Sequence, residues 1–348
     1  TVLRGIIMTL FLTSSPSGCP FEPGPAVPVL DTRNHFVANL RAVWPDHAVL
    51  GLAIAADPYA YEQNDEMCRV FAQSFANAHL PLTALIPCDA RNAEEIGSLL
   101  PQSGFVMLCG GHVPTQNHFF AQLGLPGLFH NYHGIVLGVS AGSMNAAHIV
   151  YAAPEEPGEA ADPHYSRWMN GLGLTETRIL PHYQFIREHI LDGQKVEDIA
   201  LADSKKRHFL ALPDGSYLMC SDGHEALYGK AWYFADGTLE EINDVKTAVS
   251  EAVTNAIVHA YPERIGPVCM TIAVYPDREV HITITDKGIG IPNVEQAMQP
   301  LFTTGNPEER SGLGFAVMQS FMDKVKVSSQ PGKGTRVVLT KRLDERST

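Results

Sequence analysis

The first two thirds of the chain alternate short, continuously apolar runs with stretches of helical periodicity. The apolar runs cover residues 10–13, 49–55, 82–86, 105–108 and 135–139. Strands that are apolar on both faces are typical of parallel sheets with helices packed on both sides. In such sheets the functional groups gather at the carboxyl ends of the strands. The sequence therefore predicts an α/β fold built on a parallel sheet for the larger part of the chain.

The length, charge and cysteine pattern restrict the class of protein. A chain of 348 residues is long enough for two cores at roughly 150 residues per domain. A net charge of -13 argues against direct binding to nucleic acid or to an anionic membrane. The 6 cysteines are scattered, and no apolar run approaches the roughly 20 residues of a membrane helix. We expect a soluble cytoplasmic protein whose apolar opening is a buried strand rather than a signal peptide.

One strand end carries a candidate nucleophile. Gly138-Val139-Ser140-Ala141-Gly142 is a G-x-S-x-G motif directly after a buried strand, and residues 144–150 are predicted to be helical. Strand, sharp turn and helix are the context that a nucleophile elbow requires. The preceding strand ends in Gly110-Gly111, and a glycine pair can offer backbone N–H groups to an oxyanion. We therefore expect Ser140 to be the nucleophile, with Gly111 and Ala141 as oxyanion donors.

A nucleophilic serine needs a base, and the base needs an orienting carboxylate. His182 is the best-placed base because it follows a strand-like run at residues 177–181. Three other histidines remain alternatives: His112, His118 and His148. The carboxylate stays open among three acidic residues of the Pro/Gly-rich loop after the elbow: Glu155, Glu156 and Asp162.

These motifs, together with Leu180-Pro181-His182-Tyr183, resemble the peptidase E / cyanophycinase family of serine peptidases over about residues 8–241. The resemblance implies a flavodoxin-like, class I glutamine-amidotransferase-like fold. It also implies Ser140 as nucleophile, His182 as base and a small peptide as substrate. Glu155 stands where peptidase E has an aspartate, so the resemblance implies Glu155 as the third member of the triad. A serine in place of cysteine argues against glutamine amidotransfer.

A long helix is predicted at residues 239–259, directly after short strands that close the first domain. Glu251, Asn255 and His259 recur every four residues and so share one helix face. Asn offers a hard oxygen to Mg²⁺, and Glu can take a proton. A second face carries the apolar stripe that we expect to meet the core: Val249, Val253, Ala256 and Ile257. No flexible linker precedes the helix, and the predicted domains are residues 1–240 and 241–348.

The last third supplies the other parts of a nucleotide site in order. An antiparallel pair predicted at residues 268–275 and 279–285 leads into Asp286-Lys287-Gly288-Ile289-Gly290. Asp286 can accept a hydrogen bond from the exocyclic amine of adenine. Gly312 and Gly314 open a helix, where backbone N–H groups can approach phosphates. A final hairpin is predicted at residues 325–339. A Glu/Asn helix, D-x-G-x-G and G-x-G at a helix start together predict an ATP·Mg²⁺ site.

This order of motifs is similar to that of the Bergerat-fold (GHKL) ATPases, which include histidine kinases. Residues 249–257, 300–304 and 309–315 look like those of the anti-sigma-F factor, a serine-protein kinase of sporulating Firmicutes. The resemblance implies that Glu251 is the general base for a serine of an anti-anti-sigma partner. It implies Asn255 as the Mg²⁺ ligand and Asp286 as the adenine acceptor. The other implied ATP-binding residues are Gly288, Gly290, Arg310 (for the γ-phosphate), Ser311, Gly312, Gly314 and Thr335.

One departure from this family stands out. The family begins with a strand and a helix ahead of the Glu/Asn helix, and here the peptidase-like part takes their place. We expect a two-layer α/β ATPase domain without that strand and helix. The predicted function is a serine-type peptidase joined to an ATP-dependent kinase that controls sporulation through an anti-anti-sigma protein and a sigma factor. The alternative is an inactive hydrolase scaffold carrying a nucleotide-gated partner-binding module.

Overall fold

The structure is a computed structural model that describes residues 8–17, 29–221, 223–234, 239–262, 265–274, 279–299 and 313–343. The chain divides into two compact units, Thr1–Ala235 and Asp236–Thr348. Within the described ranges, no helix is both long and apolar enough to cross a membrane.

The elements of the first unit alternate as the apolar runs predict. Its strands are β1 (Thr9–Thr13), β2 (Val49–Ile54), β3 (Leu82–Cys88), β4 (Phe105–Leu108), β5 (Ile135–Val139), β6 (Ile149–Tyr151), β7 (Trp168–Asn170), β8 (Ile179–Leu180), β9 (Ile190–Leu191), β10 (Gln194–Lys195), β11 (Phe209–Ala211), β12 (Tyr217–Ser221), β13 (His224–Tyr228) and β14 (Trp232–Phe234). Its α-helices are α1 (Phe36–Val43), α2 (Tyr61–Asn77), α3 (Ile96–Leu99), α4 (Val113–Gln122), α5 (Leu125–Phe129), α6 (Ala141–Asn145), α7 (Tyr183–Ile186) and α8 (Val196–Ser204). Short 3₁₀ turns lie at Arg33–His35, Ala93–Glu95 and Leu100–Gln102.

A seven-stranded sheet forms the centre of this unit, in the order β13-β12-β1-β5-β4-β2-β3. Its five apolar strands β1 to β5 pair in parallel, which confirms the predicted parallel sheet. β12 adds to β1 in the antiparallel sense and carries β13 beside it. Successive residues of β1 face opposite cores, with Leu10 and Leu12 in one and Phe11 in the other. The buried sheet thus brings the ends of β1, β4 and β5 to one edge.

A smaller sheet, ordered β14-β11-β8, supplies two more strand ends. β8 and β11 are parallel neighbours, with Leu210 opposite Ile179. The predicted helix at residues 144–150 is wrong, because α6 ends at Asn145 and Ile149–Tyr151 forms β6 against β7. The β-branched residues Ile149 and Val150 favour that strand over a helix.

The second unit is a four-stranded antiparallel sheet with helices. Its elements are α9 (Leu239–His259), β15 (Val268–Val274), β16 (Glu279–Asp286), α10 (Val294–Ala297), α11 (Gly314–Phe321), β17 (Lys324–Gln330) and β18 (Gly334–Arg342). The strand order is β15-β16-β18-β17, and the predicted pairs β15–β16 and β17–β18 are confirmed. The connection between the first predicted pair, where the sequence Pro276-Asp277 is typical of a turn, lies outside the described residues. Helices α9 and α11 share one core with the sheet, giving the predicted two-layer α/β fold.

The face of α9 that meets this core differs from the predicted stripe by one position. Ala248, Ala252 and Ala256 are 0%, 1% and 7% exposed, whereas Ile257 is 61% exposed. The valines that the pattern placed at the centre of the stripe are only half-buried at its edge. A row of alanines presents little bulk, so the helix backbone lies close to the sheet. The larger residues therefore flank the contact rather than fill it.

Enlarging this contact should destabilise the second unit. We expect Ala252→Leu to lower its free energy of unfolding by about 1–3 kcal/mol, because the added carbons have no space between helix and sheet. Hydrogen exchange of the α9 amides, followed by mass spectrometry, measures the loss. The control is Ile257→Ala on the exposed face, which should stay within about 0.5 kcal/mol of the parent. Equal protection of α9 in Ala252→Leu and the parent would contradict the close contact.

Candidate active sites

Ser140 lies on a sharp turn between β5 and α6, as the G-x-S-x-G motif predicts. Its backbone has φ 47° and ψ -112°, an unusual conformation for a residue with a side chain. The Ser140 N–H donates to the Thr13 carbonyl at 3.1 Å, and the Ser140 carbonyl accepts from the Ser143 N–H at 2.9 Å. A Cβ atom at Gly142 would lie 2.1 Å from the Leu108 carbonyl oxygen. The turn therefore requires glycine after Ala141.

The structure brings His182 to this serine. His182 lies two residues after the end of β8, and its Nε2 lies 3.0 Å from Ser140 Oγ. On the other side of the ring, Nδ1 lies 2.8 Å from Asp214 Oδ1. The three alternative histidines have other partners: His112 contacts Thr115 and Glu159, His118 contacts Gln122, and His148 contacts Glu176. Serine, histidine and carboxylate form a continuous hydrogen-bonded chain, the arrangement that activates a serine.

The third member is Asp214, which corrects the assignment of Glu155. The backbone N–H of Glu155 donates to Glu159 Oε2 at 2.8 Å within the loop after the elbow. Glu155 is an exposed residue of this loop. Desolvation, with the charges of Glu159 and Glu156 nearby, raises the pKa of Glu155 to about 8. A carboxyl group that is mostly protonated at neutral pH is poorly suited to stabilise a histidinium.

Asp214 was missed because its position depends on a strand that the sequence analysis did not identify. It follows β11 in the turn Pro213-Asp214-Gly215, and β11 lies beside β8. The ends of two adjacent parallel strands meet at one edge, so Asp214 and His182 become neighbours. The available signal was the apolar run at residues 209–212 followed by Pro-Asp-Gly, a typical turn sequence.

The surroundings of Asp214 favour its ionised form. Burial alone opposes ionisation, but hydrogen bonds from His182 and Ser14 outweigh it and hold the pKa of Asp214 below its ordinary value. Ser14 Oγ donates to Asp214 Oδ1 at 2.6 Å, and the Asp214 N–H donates to Gln184 Oε1 at 3.0 Å. Asp214 is thus held in place by hydrogen bonds to both its side chain and its backbone.

This lowered pKa predicts an acid-sensitive contribution to stability. The ionised Asp214 stabilises the fold above its ordinary pKa of about 3.9, and that stabilisation is lost as the pH falls through the lower value in the folded state. We expect Asp214→Asn to reduce the fall in melting temperature of the first unit between about pH 5 and pH 3. The other carboxylates are common to both proteins, so the difference between the two pH profiles isolates this group. Parallel profiles would contradict the lowered pKa.

The predicted oxyanion donors lie on two segments next to the serine. A Cβ atom at Gly110 would lie 3.3 Å from Ser140 Cβ, which places the end of β4 against the nucleophile. Gly111 has φ +155°, and a Cβ there would lie 2.5 Å from Ala56 Cβ. Ala141 is the first residue of α6, where an N–H has no intrahelical acceptor. Beside them is a cleft of about 290 Å³ lined in part by Asp57, Asn64, Gly110, Gly111, His112 and Glu156.

In the second unit, Glu251 and Asn255 meet the start of α11. A Cβ atom at Gly314 would lie 3.1 Å from Glu251 Oε2 and 3.1 Å from Asn255 Nδ2. A side chain at position 314 would therefore fill the space in front of both groups. Glu251 and Asn255 are half-buried, and both offer the hard oxygens that Mg²⁺ prefers.

Asp286 is the most buried polar group among the described residues of this site. It is 5% exposed at the end of β16, and its Oδ1 accepts from the N–H groups of Gly288 at 2.9 Å and Thr335 at 3.2 Å. Gly288 has no room for a side chain, since a Cβ would lie 2.2 Å from the Ala260 carbonyl oxygen. Gly290 has φ +72°, a conformation that favours glycine. The D-x-G-x-G motif is thus a tight turn that fixes the direction of a buried acceptor.

Three of the predicted ATP-binding residues, Arg310, Ser311 and Gly312, lie outside the described residues, as does the segment 300–304. Thr335 lies beside Asp286, and its Oγ1 is 2.9 Å from Ser329 Oγ. The described residues fit ATP and Mg²⁺, because they combine a fixed acceptor, glycines where backbone segments approach closely, and oxygen ligands on α9.

The two units thus define two classes of protein: a serine hydrolase fold and an ATPase fold of the histidine kinase type. A model of peptidase family S51 matches residues 54–227, and a model of the histidine kinase-like ATPase domain matches residues 232–341. The anti-sigma F factor of Clostridium acetobutylicum is 58% identical over 108 residues, which are 31% of this chain and 75% of that protein. The anti-sigma F factor of Caldanaerobacter subterraneus subsp. tengcongensis is 57% identical over 106 residues, 30% of this chain and 73% of that protein. The chain therefore belongs to peptidase family S51 and, through its last third, to the anti-sigma F factor family.

Solved structures match the two parts separately. The crystal structure of a Listeria monocytogenes EGD-e protein assigned as a peptidase E covers 64% of this chain and 98% of its own, with 13% identity and a TM-score of 0.43. The histidine kinase domain of the Erythrobacter litoralis EL346 blue-light activated histidine kinase covers 32% of this chain and 48% of its own, with 26% identity and a TM-score of 0.26. Both family resemblances predicted from the sequence are confirmed by the family models and relatives.

Proposed function

We propose that the first unit is a serine peptidase that cleaves small peptides. The observation that carries this proposal is the hydrogen-bonded chain from Ser140 Oγ through His182 to Asp214, with distances of 3.0 and 2.8 Å. Membership of peptidase family S51 supports the same reaction class. A cleft of about 290 Å³ adjoins the predicted oxyanion segment at Gly110 and Gly111, although Ser140 and His182 do not line it.

Each residue has a role that follows from its position. His182 Nε2 accepts the Ser140 proton as the serine oxygen attacks the peptide carbonyl carbon, and later gives that proton to the departing amine. Asp214 keeps the second ring nitrogen protonated and stabilises the histidinium. The N–H groups of Gly111 and Ala141 would donate to the carbonyl oxygen as it gains negative charge.

The full chain tests this directly. Incubation with a panel of dipeptides and tripeptides, with release of free amino acids as the readout, should reveal hydrolysis. A fluorophosphonate probe should label the protein at Ser140 in the same preparation. A chain that neither hydrolyses any peptide nor reacts with the probe would instead be an inactive hydrolase scaffold.

We infer that the second unit is an ATP-dependent serine-protein kinase and anti-sigma regulator. The observation that carries this inference is the convergence of Glu251 and Asn255 on Gly314, with the buried acceptor Asp286 on the neighbouring sheet. The relatives named anti-sigma F factors, 58% and 57% identical, support the anti-sigma part of this inference. The anti-anti-sigma partner and the role in sporulation control are what the family resemblance implies.

The roles again follow from chemistry. Bound ATP with Mg²⁺ would supply the phosphoryl group and neutralise its charge. Asn255 would hold the metal through its side-chain oxygen, and Asp286 would accept from the adenine amine. Glu251 would take the proton from the serine hydroxyl of the partner. Gly288 and Gly290 allow the tight turn beside Asp286, and Gly314 leaves space in front of Glu251 and Asn255. Arg310, Ser311 and Gly312 remain predictions of the resemblance.

Phosphotransfer to a purified anti-anti-sigma F protein is the decisive experiment. The full chain, radiolabelled ATP and Mg²⁺ should label that protein on serine, and omission of Mg²⁺ should prevent it. Co-purification with a sigma F factor in the presence of nucleotide tests the regulatory part. Nucleotide and partner binding without any transfer would favour the alternative, a nucleotide-gated binding module.

A further inference from the structure

A buried serine outside the triad touches two of its members. Ser14 directly follows β1 and is 0% exposed. Its Oγ lies 2.6 Å from Asp214 Oδ1, 2.7 Å from the backbone nitrogen of His182 and 3.4 Å from His182 Nδ1. No local sequence pattern singles out Ser14, because the residues it contacts lie 168 and 200 positions further along the chain.

The directions of these hydrogen bonds follow from what each group can do. A serine hydroxyl has one proton to donate and lone pairs to accept with. The His182 N–H donates to Ser14 Oγ, and the Ser14 hydroxyl donates to the carboxylate of Asp214. Asp214 Oδ1 therefore accepts from both Ser14 and the His182 ring. A closed ring of hydrogen bonds thus runs from the His182 backbone N–H to the Ser14 hydroxyl, on to the Asp214 carboxylate and back to the His182 imidazole.

The backbone of His182 needs such support. It has φ 54° and ψ 34°, in the left-handed region that residues with a side chain rarely adopt. Residues in such conformations persist where the surroundings hold them. The bond from the His182 N–H to Ser14 is one such restraint, and the preceding residue Thr13 accepts from the Ser140 N–H and from Ser143 Oγ. The end of β1 therefore holds both the nucleophile turn and the base.

The geometry assigns Ser14 as a positioning residue of the triad. Its single hydroxyl binds both the His182 backbone and the Asp214 carboxylate, and so it holds the His182 ring and Asp214 at hydrogen-bonding distance from each other. This assignment rests on the proposed peptidase function of the first unit. Ser14 acts through His182 and Asp214, and it contacts neither Ser140 Oγ nor the cleft in the described contacts.

The test compares the rate constant of fluorophosphonate labelling in the full chain and three variants at position 14. Ser14→Ala should slow labelling by about 10- to 100-fold, since small errors in the placement of a catalytic group have effects of this size. Ser14→Thr keeps the hydroxyl and should restore much of the rate. Ser14→Cys fills the same position with a weak hydrogen-bond donor and should slow labelling as Ser14→Ala does. Agreement between these two variants would show that the effect does not come from a folding defect in one of them.

A matched control and a second readout separate positioning from general stability. Ser74→Ala removes another buried serine hydroxyl, bonded to the Val70 carbonyl at 2.9 Å, and should leave the labelling rate unchanged. Proton NMR reports the His182 ring N–H bonded to Asp214 as a far-downfield signal. That signal should be present in the parent and Ser14→Thr, and displaced or lost in Ser14→Ala.

The outcomes distinguish this assignment from the function on which it rests. If the parent chain does not react with the probe but the NMR signal changes in Ser14→Ala, the peptidase proposal fails and the positioning role stands. If the parent reacts and Ser14→Ala reacts at the same rate, the positioning role is overturned and the peptidase proposal stands. An unchanged NMR signal in Ser14→Ala overturns the role in either case.

Discussion

Replacing Ser140 with alanine is expected to abolish peptide hydrolysis and fluorophosphonate labelling of the full chain. The hydroxyl is the group that forms the new bond to the substrate carbonyl, and loss of the nucleophile in a triad lowers turnover on the order of a million-fold. Alanine keeps the Cβ atom, so the strained turn at φ 47° has the same steric demand. Residual hydrolysis close to the parent rate would show that the activity comes from another group.

Asp214 and Glu155 offer a paired comparison for the same site. Asp214→Asn should lower turnover by about 10⁴-fold, because an amide does not stabilise the required tautomer and charge of His182. Glu155→Gln should change turnover by less than about 10-fold, since Glu155 belongs to the acidic loop and His182 contacts Asp214. A greater loss in Glu155→Gln than in Asp214→Asn would restore the assignment made from sequence.

Glu251→Gln is expected to lower phosphotransfer to the anti-anti-sigma partner by about 10²–10⁴-fold, the usual contribution of a positioned base. Glutamine has nearly the same shape but does not take a proton at neutral pH. ATP binding, measured by isothermal titration calorimetry, should remain close to that of the parent. Phosphotransfer at the parent rate would contradict the assignment of Glu251 as the base.

Asn255→Ala should differ from Glu251→Gln in weakening ATP binding itself. Loss of the side-chain oxygen should weaken Mg²⁺-dependent ATP binding and thereby lower transfer. Thr254→Ala on the same turn of α9 is the matched control, because Thr254 is exposed and should affect neither quantity. Mg²⁺-dependent binding that is unchanged in Asn255→Ala would contradict its role as metal ligand.

The parts of the site that the sequence predicts are those built from neighbouring residues. The elbow at Ser140 is a local motif, because the strand β5, the turn at Ser140 and the helix α6 follow one another within residues 135–145. The same holds for the turn at Asp286, where Gly288 and Gly290 are needed for close approach and for a positive φ. Five apolar runs were also enough to predict the parallel sheet, since a strand buried on both faces leaves a simple pattern.

The features that could not be predicted from the sequence depend on the pairing of strands far apart in the chain or on the packing of small side chains. Asp214 becomes the partner of His182 only because β11 lies beside β8, and no local pattern states which strands are neighbours. On α9, a hydrophobicity pattern favours the valines, yet close packing favours Ala248, Ala252 and Ala256. Likewise, short strands that close the first domain were predicted, but the antiparallel pairing of β12 with β1 was not.

The contact between Ser14 and Asp214 spans 200 positions of the chain, and this has a consequence for synthesis on the ribosome. At about 5–20 residues per second, roughly 10 to 40 s separate the translation of these two residues. Ser140 is translated 74 positions before Asp214, so for roughly 4 to 15 s of that interval it lacks the complete triad. A nascent chain therefore carries a dormant nucleophile, and the proposed peptidase becomes competent only when the whole first unit has been made.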